Sequence, residues 1–140
     1  VARTLERNWP RDKSRALAVA AARETFEETG LVFGTLNEGR LEPHLESFDY
    51  IARAITPPDN PIRFHARFFL TDVEAASGEV RDSVELQDLK WLAIEDALAM
   101  ALVDVTEFVL QEITRRLGGW RAPGVPLFHF RGGMTCIRYE

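Results

Sequence analysis

The stretch from Asp12 to Thr29 contains neither Gly nor Pro, is rich in Ala, Arg and Glu, and runs directly into Gly30. No other feature constrains the chain as tightly. Apolar residues at Val19, Ala22 and Phe26 recur at helical spacing, which predicts an amphipathic helix with Asp12 or Ser14 able to cap its start. Gly30 supplies the expected left-handed stop, after which Leu31 to Phe33 are expected to pack back beneath the last turn.

Beyond Phe33 the chain changes in texture. Leu45 to Thr56 and Arg63 to Val73 are rich in β-branched and aromatic residues, and Pro57-Pro58-Asp59-Asn60-Pro61 between them continues neither, so two strands joined by a rigid loop are predicted. Leu89 to Ile94 reads as a short buried strand, Glu95 to Met100 as one or two helical turns, and Val105 to Leu117 as a longer helix stopped by Gly118-Gly119. Val125 to Phe130 and Met134 to Tyr139 flank Arg131-Gly132-Gly133, a hairpin signal. Phe26, Phe68, Phe69, Trp91 and Phe108 lie within apolar patterns and are expected in the core. With 140 residues and no internal repeat or composition break, residues 1–140 are expected to form a single domain.

On the first helix, at about 100° per residue, Glu24, Glu27 and Glu28 fall within roughly 100° of one another, away from Val19, Ala22 and Phe26. Three like charges at those spacings repel, and the end of a helix is where the dipole also disfavours them. A solvated acidic face is the ordinary meaning of such a run. A hard divalent cation is the alternative, because it takes oxygen ligands and removes both penalties.

The chain carries 17 Lys and Arg against 22 Asp and Glu, a net charge of −5, so no broad basic field exists to hold a nucleic-acid backbone. An acidic protein acting on an anionic small molecule needs a metal or a few arginines. No apolar run approaches the length needed to span a membrane. The expected compartment is the cytoplasm, since the lone Cys136 forms no intrachain disulfide and the sequence opens on no charged-then-apolar leader.

Arg23-Glu24-Thr25-Phe26-Glu27-Glu28-Thr29-Gly30-Leu31 resembles the second half of the Nudix box: every fixed position is filled, and Thr25 is a weak match to its hydrophobic slot. The resemblance implies an α/β fold, an α/β/α sandwich with a mixed β-sheet. It further implies Mg²⁺- or Mn²⁺-dependent hydrolysis of a diphosphate linkage in a nucleoside-diphosphate-type substrate. By position in the motif, Glu27 and Glu28 are implied metal ligands, Glu24 a ligand or the water-activating base, and Arg23 a residue that orients one of those carboxylates. Several Nudix enzymes place a further acid in a loop before a late strand, and Glu85 stands at about that point as a second candidate base. Residues 53–70 resemble, more loosely, a bacterial branch related to the coenzyme A diphosphatase-like group, which suggests a coenzyme A derivative. Arg53, Arg63 and Arg67 there match phosphate oxygens chemically but read equally as exposed strand arginines, and His65 reads as a strand residue rather than a catalytic one; none is assigned a catalytic role.

One part of the pattern is missing. The Gly and first Glu of a complete box would fall at positions 9 and 15, which hold Trp9 and Arg15. Val1 to Trp9 reads as a helical or irregular lead-in, so the chain is expected to lack the early strands and Gly-rich loop of a whole Nudix domain. The competing function is a catalytically silent Nudix domain that binds a nucleotide or a partner protein. A homodimer is the commonest arrangement if the chain self-associates.

Overall fold

The computed structural model describes residues 11–140, so the lead-in lies outside the described residues, as do the side chains of Asp12 and Ser14. In chain order the elements are α1 (Arg11–Thr29), β1 (Gly34–Asn37), β2 (Arg40–Pro43), β3 (Asp49–Ile55), β4 (His65–Leu70), a 3₁₀ turn (Val73–Ala75), α2 (Ile94–Leu98), α3 (Asp104–Leu117), β5 (Pro126–Arg131) and β6 (Met134–Tyr139). β1 and β2 form an antiparallel pair, and a second sheet has the order β4-β3-β5-β6. Within it β3 and β5 are parallel and β5 and β6 antiparallel, which is the mixed sheet of an α/β protein. No described helix is long and apolar enough to cross a membrane.

The described residues group into two compact units. The first holds those up to Asp49 together with Phe69–Trp91. Here α1 turns Ala18 and Ala22 fully inward, and Phe33 and Phe48 close over Ala22 with their rings edge to face at 5.5 Å. Phe69 completes the cluster 6.2 Å from Phe48. Leu31 packs against the same cluster, so the chain does fold back beneath the helix end.

The second unit holds Tyr50–Phe68 and Leu92–Glu140. Phe108 and Val109 of α3 are buried, and Phe108 lies 5.2 Å from Phe128 of β5. Glu112, fully buried, binds Arg116 at 2.8 Å and Arg115 at 3.3 Å. Arg116 also donates to the Ile51 carbonyl, so one guanidinium neutralises the acid and ties α3 to β3. At the far end of the sheet Glu140 pairs with both Arg53 and Arg138 at 2.7 Å. β5 and β6 turn through Gly132 and Gly133, both at positive φ, with Arg131 opposite Met134, the geometry of a two-residue hairpin.

Three expectations need correction. The strands expected over Leu45 to Thr56 and Arg63 to Val73 are shorter: Leu45 to Phe48 make a turn closed by the Phe48 amide on the Leu45 carbonyl, and Val73 enters a 3₁₀ turn capped by Asp72. Leu89 to Ile94 is not a strand, because the Leu89 amide is taken by the Asp82 carboxylate and Ile94 opens α2. Trp91 is 68% exposed rather than in the core, while Phe26, Phe68 and Phe69 are half-buried. The β1–β2 hairpin has no counterpart among the expected elements; it turns at Glu38 and Gly39, again both at positive φ.

Two consequences are measurable. Glu112→Ala leaves two guanidinium groups without their buried partner and should cost roughly 3 kcal/mol in chemical denaturation, since breaking a buried pair from one side is expensive. A loss well under 1 kcal/mol would show the pair to be dispensable. The second concerns His65, whose pKa is lowered by desolvation first and then by Arg53 and Arg67, with Glu140 opposing. The unfolded chain therefore binds the proton more readily, so this contribution to stability is intact above about pH 6.5 and is lost as pH falls below it. His65→Gln should flatten that acid-side decline, and an unchanged slope would remove His65 as its source.

Candidate functional site

The acidic face of α1 is built by spacing and finished by the helix end. Glu24 and Glu27 are exposed and Glu28 half-buried, all on the side away from Ala18 and Ala22. The last turn contains no basic residue to balance them. Thr25 and Thr29 turn their hydroxyls back onto the carbonyls of Ala21 and Thr25, at 2.8 and 2.6 Å. A threonine that satisfies its own hydroxyl in this way presents a methyl group outward, which is how Thr25 serves in an apolar slot.

The helix stops at Gly30, where φ is +79° and the amide donates to the Phe26 carbonyl. A Cβ at this position would stand 2.6 Å from the Glu79 carbonyl oxygen. The close approach brings in the segment that leads to Glu85: Val32 and Ser77 exchange two backbone hydrogen bonds, and the Arg81 amide donates to the Thr29 carbonyl at 2.9 Å. The Arg81 guanidinium also sits over the Phe26 ring, 5.7 Å from its centre. Beyond it the loop is held by its own side chains. Ser83 Oγ accepts from the amides of Glu85 and Leu86, and Asp82 accepts from Leu89. Asp82 thus closes the loop, and Glu85 itself is exposed.

A cleft of about 1020 Å³ runs along the neighbouring side of α1, between the helix and the β1–β2 hairpin. Arg15, Val19, Arg23, Phe26 and Glu27 form one wall and Glu38 to His44 the other. Taking about 100° per residue, Glu27 stands at the edge of this wall and Glu24 and Glu28 continue around the helix away from it. Arg23 reaches Glu27 at 3.8 Å with both side chains 58% exposed, a contact that adds little stability. Arg15 and Arg40 face each other across the same space, so the cleft gathers three guanidinium groups in a chain of net charge −5.

The three glutamates share one helix face. Among the described residues no three His, Cys, Asp or Glu side chains are gathered closely enough to hold a metal ion. The donor set itself fits a hard divalent cation: carboxylate oxygens only, two of the three side chains in solvent and free to turn inward. The hairpin wall is what sequence reasoning missed; Gly39 following Asn37-Glu38, between Leu36 and Leu41, was the available turn signal.

The model of the NUDIX domain family matches residues 11–116. This chain is a Nudix protein. The match covers α1, the hairpin, the Glu85 loop and most of α3, and so contains every residue of the acidic face and the cleft beside it. Nudix proteins generally hydrolyse nucleoside diphosphate derivatives and use divalent metal ions such as Mg²⁺. No solved structure matches the chain.

Because Gly30 joins the acidic helix to the Glu85 loop, Gly30→Ala should destabilise the protein by at least about 1–2 kcal/mol, the ordinary cost of a left-handed non-glycine residue, with the clash against Glu79 adding to it. Thermal unfolding would measure this. A variant as stable as its parent would mean the junction relaxes freely.

Proposed function

We propose that this Nudix protein is a divalent-metal-dependent hydrolase that cleaves a diphosphate linkage in a nucleoside-diphosphate-type substrate. Glu24, Glu27 and Glu28 hold Mg²⁺ or Mn²⁺ in this reading. The observation that carries it is the family match over residues 11–116 coinciding with a three-carboxylate helix face next to an arginine-lined cleft. Bound metal would neutralise phosphate charge and lower the pKa of a coordinated water. Glu24 or Glu85, both exposed, accepts the proton as a water oxygen bonds to phosphorus and the bridging P–O bond breaks. Arg15, Arg23 and Arg40 suit the phosphate oxygens that remain, because planar guanidinium groups bind them in pairs. Arg23 has a second task, holding the Glu27 carboxylate.

A second reading has its own support. Position 15, where a complete box has a glutamate, is an arginine that lines the cleft. Such a site suits a domain that binds nucleotides without turning them over. Release of phosphate or nucleoside monophosphate from ADP-ribose, dinucleoside polyphosphates, NADH and coenzyme A, with and without Mg²⁺, separates the two. Binding without turnover on the whole panel would favour the silent domain, and turnover of coenzyme A would support the branch suggested by residues 53–70.

Within the hydrolase reading, Glu27→Gln and Glu28→Gln should each lower kcat about a hundredfold or more at saturating Mg²⁺ while leaving the fold intact, since each removes a charge placed to hold the cation. Near-parental turnover in either variant would mean that residue is not a ligand.

A further inference from the structure

The four-stranded sheet of the second unit ends in β4 on one side and β6 on the other. β4 is half-buried over all but its first residue, whereas every residue of β6 except Cys136 is exposed. Met134, Ile137 and Tyr139 are 70%, 50% and 37% exposed, and by strand alternation they put apolar side chains on both faces of β6. Its pairing fixes where the backbone points. Glu140 and Val125 exchange both amide–carbonyl bonds, and bonded and non-bonded partners alternate in an antiparallel pair, so Met134, Cys136 and Arg138 turn their backbone groups to β5. The amides and carbonyls of Thr135, Ile137 and Tyr139 point outward, and among the described residues no strand takes them up.

Open edges are ordinarily protected by Lys, Pro, a bulge or an unpaired charge. β6 contains neither Lys nor Pro, and it matches β5 residue for residue from Pro126–Tyr139 to Arg131–Met134. Arg138 is its one charged residue, and Glu140 balances that guanidinium at 2.7 Å.

The strand also complements itself. Run antiparallel about a two-fold axis at Cys136, Thr135 of each copy meets Ile137 of the other, and these are residues whose amides and carbonyls point outward, so each pair exchanges both bonds. Met134 meets the aliphatic stem of Arg138, and Cys136 meets itself. Charge selects this register. The two Arg138 residues then stand about 14 Å apart along the seam, beyond the screening length of about 8–10 Å. Moving the axis to Ile137 halves that separation, moving it to Arg138 sets like charges face to face, and moving it toward the turn shortens the paired stretch.

We propose that β6 is a self-association surface through which two copies of this chain pair antiparallel about Cys136, so that one mixed sheet runs through both. The surface lies within the second unit, and its use does not depend on turnover at the acidic helix.

Sedimentation of the intact protein over rising concentration, without metal, tests this together with diamide oxidation. A reversible dimer should form. Diamide, which takes up the two thiol hydrogens as the S–S bond forms, should convert it to a covalent dimer, because a non-hydrogen-bonded antiparallel pair holds its Cα atoms about 4.5 Å apart, within disulfide reach. Cys136 is the single cysteine of the chain, so this product reports the register. Ile137→Lys and Thr135→Lys each place a charge at an exposed, outward position and should weaken self-association at least about tenfold, with the covalent product lost although Cys136 remains. Should one of them misfold, the other decides. Cys136→Ser should still dimerise and lose only the covalent product. A monomer at every concentration, a dimer that both lysine variants leave intact, or a dimer that diamide does not link would each overturn the proposal.

Discussion

The contact at Gly30 is the constraint on which the first unit depends. A helix ending in three glutamates must stop abruptly, and the chain must then reverse so that Leu31 and Phe33 reach Ala22. Only a residue without a Cβ both adopts the left-handed conformation and admits the Glu79 carbonyl at this distance. Gly78 makes the reciprocal approach, where a Cβ would lie 2.6 Å from the Gly30 carbonyl oxygen. Two glycines from distant parts of the chain therefore let two backbones touch, and the paired hydrogen bonds of Val32 and Ser77 seal the junction. The helix end and the start of the Glu85 loop are positioned by one event.

Electrostatics then divides the helix into two working sides. The carboxylates stand on one side, while the adjoining side places Arg15 and Arg23 along a cleft shared with Arg40 of the hairpin. The proposed hydrolase would use both signs of charge: oxygen donors for a cation, and guanidinium groups for the phosphates. Glu27 sits where the two sides meet, and its contact with Arg23 links them. The burial of Glu112 in the second unit follows the opposite logic, since there the acid is enclosed and its charge is balanced by arginines of its own helix.

Much of this was legible along the chain because it is local. The helix to Thr29, its Gly30 stop, α3 and the terminal hairpin each follow from residues within a turn or two of one another, and the motif from Arg23 to Leu31 led to the family that the match over residues 11–116 bears out. Strand ends were less legible. Leu45 to Phe48 has the composition of a strand, yet Phe48 is drawn into the cluster with Phe33, a partner remote in sequence. Trp91 has the pattern of a core residue and lies exposed, since Ile94 starts a helix and Leu89 is claimed by Asp82.

By itself, then, the sequence determined the type of the longest elements, the face on which three carboxylates stand, and the family, because helical periodicity and a contiguous motif need no knowledge of distant contacts. Tertiary structure decided which surface of α1 borders a cleft, which loop the helix end touches, that Asp82 closes that loop, and that β6 stands at an edge of the sheet. Each of those depends on residues far apart in the chain meeting through packing, and such meetings are set by the total of many weak contacts rather than by any local signal.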